Sequence, residues 1–526
     1  MTFSRKQKWF LGITVAALVV MIGLFTAAVI IGRRFDPYVR DQAITYLRER
    51  FDSTVELESL RIRVPTVAPL RLMFGAGQGT IVQIEGENLS LRHRGRTDLP
   101  PMFILKRFTA KMDLGNVFAD LKVVSEVNLD GMEINLPPKG DRPDLSAGDS
   151  AKNDEQASHV IIETVLVHDA KLILHPRDKR KQPLQFDLHD VRLESAGKDV
   201  AMKYEALLTN AKPPGEIHST GTFGPWVADE PGDTPLAGSY LFENADLSVF
   251  NGIAGILKST GDFKGTLDSI IAKGQATVPD FRLKRSDNAV PLQTTFEVLV
   301  DGTNGNTELK PIIARLGSTN FKTSGVVVKH DGDTHRTISL RASMPMGHLP
   351  DVLKLAMNGP PFMEGTLNLQ TEIDIPPLSG KVKEKLLLDG TFEVTNGKFL
   401  KSTIQDQIDG LSRRGQGQPK NEAIDEVVSR MSGAFHLENE AITFERLAFA
   451  IPGAVVNISG TYNTGEDSLN FHGALMLDAR ASQTMSGWKR WVLKPLDPIF
   501  AKNGAGTYLK IKVVGTTKQP QFGLDR

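Results

Sequence analysis

The residues that could perform chemistry are few and scattered along the chain. The 526-residue sequence contains no cysteine, which excludes disulfides, thiolate metal sites and a cysteine nucleophile. The motifs GxSxG, GxxxxGK[ST], GxGxxG and HExxH are also absent. The glycine-rich run at 75–79 has Thr80 at its sixth position and no strand-to-helix pattern around it, so it predicts a turn.

Histidine and carboxylate spacing adds no catalytic constellation. His168 and His175 are seven residues apart, whereas two metal ligands on one helix face need the i, i+4 spacing. A pair such as Asp246 and Asp262 can be picked freely among 62 acidic residues. We therefore predict no catalytic residue, no metal site, no cofactor and no enzymatic activity. The 62 basic residues balance the 62 acidic ones, which predicts no nucleic-acid partner because such binding needs a basic surface.

One long uncharged run lies near the N-terminus. It extends from Trp9 to Gly32 and would be about 36 Å long as a helix, enough to cross a bilayer. A cleaved signal peptide is the alternative, but its apolar region is shorter, and the bulky residues at 29–31 follow the small residues at 26–28. We predict a cytoplasmic tail at 1–8 and a transmembrane helix at 9–32. Basic residues flank both ends of the run, so charge alone leaves the orientation open.

Beyond the uncharged run, a short amphipathic helix precedes a long β region. Apolar residues recur every four positions in the helix, at Phe35, Val39, Ala43, Leu47 and Phe51. From about residue 54 the period becomes two, as at Leu367, Leu369, Ile373 and Ile375, with polar residues between them. One apolar face and one wet face are typical of an antiparallel sheet. The pattern predicts a mainly β fold: one N-terminal transmembrane helix, then a long, curled antiparallel sheet with a few short covering helices.

Two interruptions divide the β pattern. The stretch 137–158 is rich in Pro, Gly, Asp and Ser, which predicts a flexible linker. Residues 410–421 are predicted to be a loop between two short helices, one at Ile404, Ile408 and Leu411, the other at Ile424, Val427, Val428 and Met431. The expected regions are a juxtamembrane helix with N-terminal strands at 33–136, the linker, a central β region at 159–385, and a C-terminal β region with short helices at 386–526.

A short glycine motif recurs through the β region. Gly-x-aromatic or Gly-Thr-x sequences are expected to open a strand at each of eight places, which begin at Gly221, Gly261, Gly265, Gly365, Gly390, Gly433, Gly460 and Gly506. Their irregular spacing excludes a strict solenoid repeat. We interpret the motif as one strand–turn unit used repeatedly.

The order of these features resembles the AsmA-like family of membrane-anchored envelope proteins. The residues that carry the resemblance lie at 35–40, 46–51, 55–57, 160–174, 242–250, 261–267, 390–399, 452–453, 460–462 and 515–522. Each segment alone is a common β-turn signature, and the resemblance lies in their order behind one anchor. The family has no catalytic motif, so no site residue is carried over.

The resemblance implies an inner-membrane protein with a cytoplasmic N-terminus and a periplasmic body. It also implies a relation to bridge-like lipid-transfer proteins, whose curled sheet forms an apolar groove. The expected function is to hold or conduct phospholipids between the inner and outer membranes, and Leu367, Leu369, Ile373 and Ile375 are expected to face lipid. The expected partners are a phospholipid or other envelope lipid, the inner membrane, and an outer-membrane or periplasmic protein. The alternatives are a non-enzymatic scaffold or assembly factor for outer-membrane proteins, and an unrecognised envelope enzyme.

Near the C-terminus, residues 487–502 combine aromatic, aliphatic and basic side chains. Trp488, Lys489, Arg490, Trp491 and Lys494 are expected to contact a membrane or a partner, because basic residues beside tryptophan suit an anionic interface. The alternative is that the aromatic residues plug an end of the sheet, which would need the tryptophans but not the basic side chains.

Overall fold

The fold is described from a computed structural model. It describes residues 40–41, 44–45, 47–48, 53–63, 80–113, 121–136, 159–175, 183–197, 200–225, 227, 231–286, 288–302, 304–330, 333, 335–418, 427–486, 494, 497, 501 and 505–525. Among these residues no helix has the length and apolar character needed to cross a membrane. The predicted transmembrane helix at 9–32 and the predicted linker at 137–158 lie outside the described residues.

The protein is mainly β, as predicted. The strands of the N-terminal half are β1 (Ser53–Arg63), β2 (Ile81–His93), β3 (Phe103–Asp113), β4 (Leu121–Leu136), β5 (His159–Leu174), β6 (Leu184–Gly197), β7 (Met202–Ala211), β8 (Pro214–Phe223), β9 (Pro235–Asp246), β10 (Ile253–Ala254), β11 (Ile256–Thr266) and β12 (Ser269–Val278).

The described residues of the C-terminal half form more strands and three short α-helices. The strands are β13 (Arg282–Leu283), β14 (Leu292–Val300), β15 (Thr307–Leu316), β16 (Thr319–Val328), β17 (Thr337–His348), β18 (Met363–Ile375), β19 (Leu387–Phe399), β20 (Ser429–Glu438), β21 (Ala441–Ile451), β22 (Ala454–Asn463), β23 (Ser468–Leu477), β24 (Thr507–Gly515) and β25 (Pro520–Leu524). The helices are α1 (Leu349–Ala356), α2 (Val382–Lys385) and α3 (Ser402–Gly415).

Strand order follows chain order. In the part of the chain that the structure describes, twenty-three strands belong to one sheet, and β10 pairs with β13 separately. From β1 to β9 and from β15 to β25 each strand pairs with the next one antiparallel, with one exception. Strands β4 and β5 are parallel, with Leu121 opposite His159, so this one pair departs from the predicted antiparallel arrangement that the other pairs confirm. Parallel neighbours need a connection of a dozen or more residues, and 137–158 provides it.

The chain divides into two compact units. Unit 1 comprises Met1–Asp246, Leu257–Gly274 and Leu299–Gly305, and unit 2 comprises Leu247–Ile256, Gln275–Val298 and Asn306–Arg526. In unit 1 the first strands have a dry core: Ile84, Phe108 and Val127 are at most 1% exposed. Leu47, from the predicted amphipathic helix, is completely buried in this core, and the described residues within 40–48 are helical. The other four residues of that predicted apolar stripe lie outside the described residues.

Two local predictions in unit 2 are wrong. The predicted loop at 410–421 begins too early, because α3 extends to Gly415. The second predicted helix is also wrong over its described part. Val427 and Val428 are not helical, and Met431 lies in strand β20 opposite Val394. Pairing with β19 satisfies the backbone of this segment, so tertiary context overrides the helical spacing.

The glycine motif does not open strands as expected. Gly221, Gly261, Gly390, Gly433 and Gly460 all lie inside their strands. Of the eight glycines, Gly506 is the one that immediately precedes a strand, β24. The interior position gives the motif a packing role, which becomes apparent on one face of unit 2.

Candidate functional site: the apolar face of unit 2

One face of the unit 2 sheet is a continuous apolar surface. Strand register aligns residues into rows that begin in β18 and end in β23 or β24, and directly opposed residues share a face. The apolar face consists of four such rows: Ile373, Leu388, Leu437, Ile442, Tyr462, Leu469; Thr371, Gly390, Phe435, Phe444, Gly460, Phe471, Val513; Leu369, Phe392, Gly433, Leu447, Ile458, Gly473, Ile511; and Leu367, Val394, Met431, Phe449, Val456, Leu475, Leu509.

The four residues predicted to face lipid all lie on this side of the sheet. Leu367, Leu369 and Ile373 belong to the rows, and Ile375 extends β18 with Ile338 as its cross-strand neighbour. Leu367 is 4% exposed, whereas the other three are half-buried. The intervening Gln370 and Glu372 point to the opposite face and are exposed. The structure therefore places the predicted set together, although Leu367 is already covered by protein.

Glycine and phenylalanine alternate between neighbouring strands in the middle of this face. Gly390 lies opposite Phe435, and Phe392 lies opposite Gly433. A Cβ at Gly390 would come 2.6 Å from Phe435 Cζ, and one at Gly433 would come 3.0 Å from Phe392 Cε1. Each ring therefore uses the space above the glycine of the adjacent motif. Sequence inspection found the repeated motif but missed this reciprocal arrangement, because it depends on which strands are neighbours.

The rings of the apolar face form a connected row. Phe392 lies 6.4 Å from Phe435 and 6.3 Å from Phe444, and Phe444 lies 5.9 Å from Phe471, measured between ring centroids. Tilted and edge-on arrangements at these distances are favourable for aromatic pairs. The row extends from β19 to β23 and gives the middle of the sheet an aromatic floor.

The apolar face is less covered than the core of unit 1. Leu369, Phe392, Phe435, Leu447 and Ile458 are all half-buried although they lie in central strands and central rows. The corresponding positions of β1 to β4 are fully buried. A packed second layer normally removes central apolar residues from water. The middle of this face therefore retains apolar surface that solvent can reach.

Protein covers the apolar face at one end of the strands. We call this the helix end: it contains the end of β17, the start of β18, the end of β19 and the corresponding ends of β20 to β24. Here Val352 and Leu353 of α1 pack against a cluster that includes Leu367 and Val394. Ile408 and Leu411 of α3 pack against a second cluster that includes Ile451 and Leu477. The opposite, hairpin end contains the connections around 376–386, 439–440 and 464–467.

A carboxylate secures α1 to the β15–β16 turn. Asp351 accepts hydrogen bonds from Ser318 N at 2.9 Å, Ser318 Oγ at 2.7 Å and Thr319 Oγ1 at 3.0 Å. Burial raises the pKa of this carboxyl, but the donors of Ser318 and Thr319 outweigh it, so the pKa of Asp351 lies below its usual value. The bonds hold the first turn of α1 beside the sheet.

Polar side chains secure α3 in a comparable way. Buried Gln405 donates to Val427 O at 2.9 Å and accepts from Phe399 N at 2.9 Å. Ser412 Oγ donates to Pro452 O at 2.7 Å. These bonds connect α3 to three successive strand ends, so the cover at the helix end is fixed by specific contacts.

The opposite face of unit 2 is polar. It contains an open depression of about 660 Å³, and two pairs of its charged lining groups interact with each other. Arg341 Nε lies 2.9 Å from Glu372 Oε1, and His436 Nδ1 lies 2.7 Å from Asp389 Oδ1. The hydrogen bond with Asp389 raises the pKa of His436. Because these paired charges are exposed, this face has the character of a solvated surface.

The predicted contact segment at 487–502 is described only in part. Trp488, Lys489, Arg490 and Trp491 lie outside the described residues, and Lys494 is exposed. Asp497 is 8% exposed and accepts hydrogen bonds from Ser482 N and Ser482 Oγ, both at 2.7 Å. Asp497 thus attaches the segment to the helix end of unit 2.

Comparisons with known proteins identify no relative. No protein-family model, curated protein or solved structure matches the chain. Over the part of the sequence that the structure describes, no three His, Asp or Glu side chains come together as a metal site would require. The site must therefore be interpreted from its own geometry.

Proposed function

We propose that the protein holds or conducts phospholipids along the apolar face of unit 2. In this proposal it is an inner-membrane protein with a periplasmic body, and lipids move between the inner and outer membranes. The observation that carries the proposal is the set of four in-register apolar rows whose central members remain half-buried. Acyl chains favour such a surface because they remove it from water, whereas a headgroup can remain solvated.

The distribution of side chains supports the proposal. Three of the four rows are continuous across seven strands, from β18 to β24, and the fourth ends at β23. Seven strands correspond to about 29 Å at 4.8 Å per strand. An extended acyl chain lying across the strands would contact apolar residues along this whole path. Because glycines lie beneath the phenylalanine rings, the rings pack close to the sheet, and a flexible acyl chain can lie on them. The longer groove and the orientation in the membrane are expectations from the AsmA-like resemblance.

A scaffold or assembly factor for outer-membrane proteins is the second candidate. Strand β25 favours it, because Phe522 is 77% exposed and Leu524 is 61% exposed on the last strand of the series. An exposed sheet edge with apolar side chains can accept a strand from another protein. In this alternative, β25 is the functional element and the apolar face need not bind lipid.

Site-specific photocrosslinking on adjacent residues separates these functions. A photoreactive amino acid at Leu369 should crosslink to phospholipid in cells, and the same group at Gln370 should not, because the two side chains point to opposite faces. Mass spectrometry of the purified, irradiated protein identifies the adduct. Equal lipid labelling at both positions, or none at Leu369, would contradict the proposal. Labelling of a protein by a probe at Phe522 without lipid at Leu369 would favour the scaffold.

A charge substitution gives an independent readout. Leu369→Asp places a carboxylate between Met344 and Phe392, where desolvating an unpaired charge costs several kcal/mol. Co-purified phospholipid should fall at least tenfold relative to Gln370→Asp, which changes an exposed side chain. Thermal unfolding of both variants distinguishes loss of lipid from loss of the fold.

A further inference from the structure

Between the start of β17 and the end of β24, the exposed apolar residues are concentrated at one end of the sheet. Of the described residues between 337 and 515, seven large apolar side chains are exposed. Six of them lie at the helix end: Met346, Met357, Phe362, Leu400, Val428 and Met485. The seventh, Leu378, lies at the hairpin end. Scattered single residues of this kind need no explanation, but concentration at one place marks an interaction surface.

These residues are close neighbours in the fold. Leu400 N donates to Phe362 O at 3.0 Å, and the Phe362 ring lies 6.4 Å from that of Phe399. Val428 precedes β20, which pairs with β19. Ala479 N donates to Gly415 O at 2.8 Å, which brings the segment that contains Met485 against α3. The exposed residues therefore follow the helix end from one strand to the next.

The charged residues around them are predominantly basic. At the helix end the exposed basic residues are Lys354, Lys401, Arg414, Arg430, Arg480 and Lys494, and the exposed acidic ones are Glu364, Asp406 and Asp478. Arg430 also lies 3.4 Å from Glu393, which offsets part of its charge. The chain as a whole is neutral, so this excess is local. Basic side chains beside exposed phenylalanine, leucine and methionine fit the interface of an anionic bilayer.

We propose that the helix end of unit 2 binds the surface of an anionic phospholipid bilayer. The apolar side chains enter the headgroup region while the lysines and arginines contact lipid phosphates. A protein partner fits less well, because it would have to complement both the positive charge and three exposed methionines in separate segments, Met346, Met357 and Met485. This contact goes beyond the proposed lipid-carrying function and does not require acyl chains to lie on the apolar face.

The absence of cysteine from the sequence allows a clean fluorescence test on the full chain. Leu400→Cys and Leu378→Cys form a matched pair, since the two leucines are 53% and 60% exposed and lie at opposite ends of the strands. Each variant is labelled with an environment-sensitive dye and reconstituted into vesicles that contain phosphatidylglycerol and a lipid-borne quencher. We expect at least twofold stronger quenching at position 400 than at position 378.

Charge variants test the recognition of anionic lipid. Adding Lys401→Glu and Arg414→Glu to the labelled Leu400→Cys protein should at least halve the quenching. The matched control, Lys329→Glu with Lys381→Glu, changes two exposed lysines at the hairpin end and should leave it unchanged. In vesicles of pure phosphatidylcholine, the labelled Leu400→Cys protein without these charge substitutions should also be quenched more weakly than in vesicles that contain phosphatidylglycerol.

Three outcomes would overturn the proposal. Equal quenching at positions 400 and 378 would show that the helix end is not the specific site of membrane contact. Equal quenching in neutral and anionic vesicles would show that the contact does not recognise anionic lipid. The dye at position 400 could also change its fluorescence in vesicles that lack the quencher, in proportion to the number of protein molecules per vesicle. That result would show contact with a second copy of the protein instead of with lipid. Loss of phospholipid labelling at Leu369 with retained quenching at position 400 would refute the proposed function and support this contact.

Discussion

Asp351 provides a direct test of how α1 is held over the apolar face. Its carboxylate accepts three hydrogen bonds from Ser318 and Thr319, and its side chain is 15% exposed. Asp351→Asn keeps the size of the side chain but replaces a charged acceptor with a neutral one. Hydrogen bonds to charged groups contribute roughly 1 kcal/mol more than neutral ones. Because the three bonds share one carboxylate oxygen, we expect a total loss of about 2 kcal/mol.

Hydrogen exchange measures this loss where it occurs. If α1 opens locally, about 2 kcal/mol corresponds to roughly 30-fold faster exchange of its amides. Strands β1 to β5, in unit 1, should exchange as in the unchanged protein. Asp406→Asn is the matched control, because Asp406 is exposed on α3 and surface substitutions usually change stability by less than about 0.5 kcal/mol. Unchanged exchange in α1, or equal effects of both variants, would refute the assigned role of Asp351.

The pH dependence of the same variant has a defined sign. The pKa of Asp351 is lowered in the folded protein, so its contribution is fully present above the unfolded pKa of about 3.9. The contribution disappears as the pH falls through the lower, folded pKa. The difference in α1 exchange between the unchanged protein and Asp351→Asn should therefore be constant between pH 7 and 5 and shrink below about pH 4. A difference that instead shrinks between pH 7 and 5 would assign the effect to another group.

The remaining predictions concern the glycine motif, the attachment of the C-terminal segment and the membrane orientation. Gly390→Ala should lower the free energy of unfolding by about 1–3 kcal/mol through overpacking against Phe435. Gly410→Ala is the control: the nearest atom to its new Cβ is 3.9 Å away within α3, so it should raise the free energy of unfolding by up to about 1 kcal/mol. Denaturant unfolding measures both changes. Asp497→Ala should accelerate proteolysis within 478–506 because Ser482 loses its acceptor, and an unchanged cleavage rate would contradict that attachment. Protease added to spheroplasts should digest the C-terminal body, and its protection would refute the periplasmic orientation.

The two-residue period of apolar side chains predicts well which residues form strands and which face of the sheet each residue occupies. It assigned Leu369 and Gln370 to opposite faces because side chains alternate along any strand. It could not predict the parallel β4–β5 pair, because alternation contains no information about which strands are neighbours. The helix expected around Val427 was wrong for a related reason: the residue is buried against α3, and its apolar neighbours satisfy a helical spacing by chance.

The half-buried state of the apolar face also depends on information that alternation lacks. A sandwich and an uncovered sheet have the same pattern of apolar residues, and they differ only in what lies above the apolar side. In unit 2 that difference comes from α1 and α3, which cover the end near Leu367 and leave Leu369 and Phe392 half-buried. Besides this packing, polar residues such as Asp351 and Gln405 bond both helices to distant parts of the chain. Moving either helix one strand width, about 4.8 Å, would change which rows remain accessible without altering any strand. The extent of the accessible apolar surface therefore depends on the contacts that hold α1 and α3 at the helix end. If the proposed function is right, substitutions there should change lipid binding while the sheet itself stays intact.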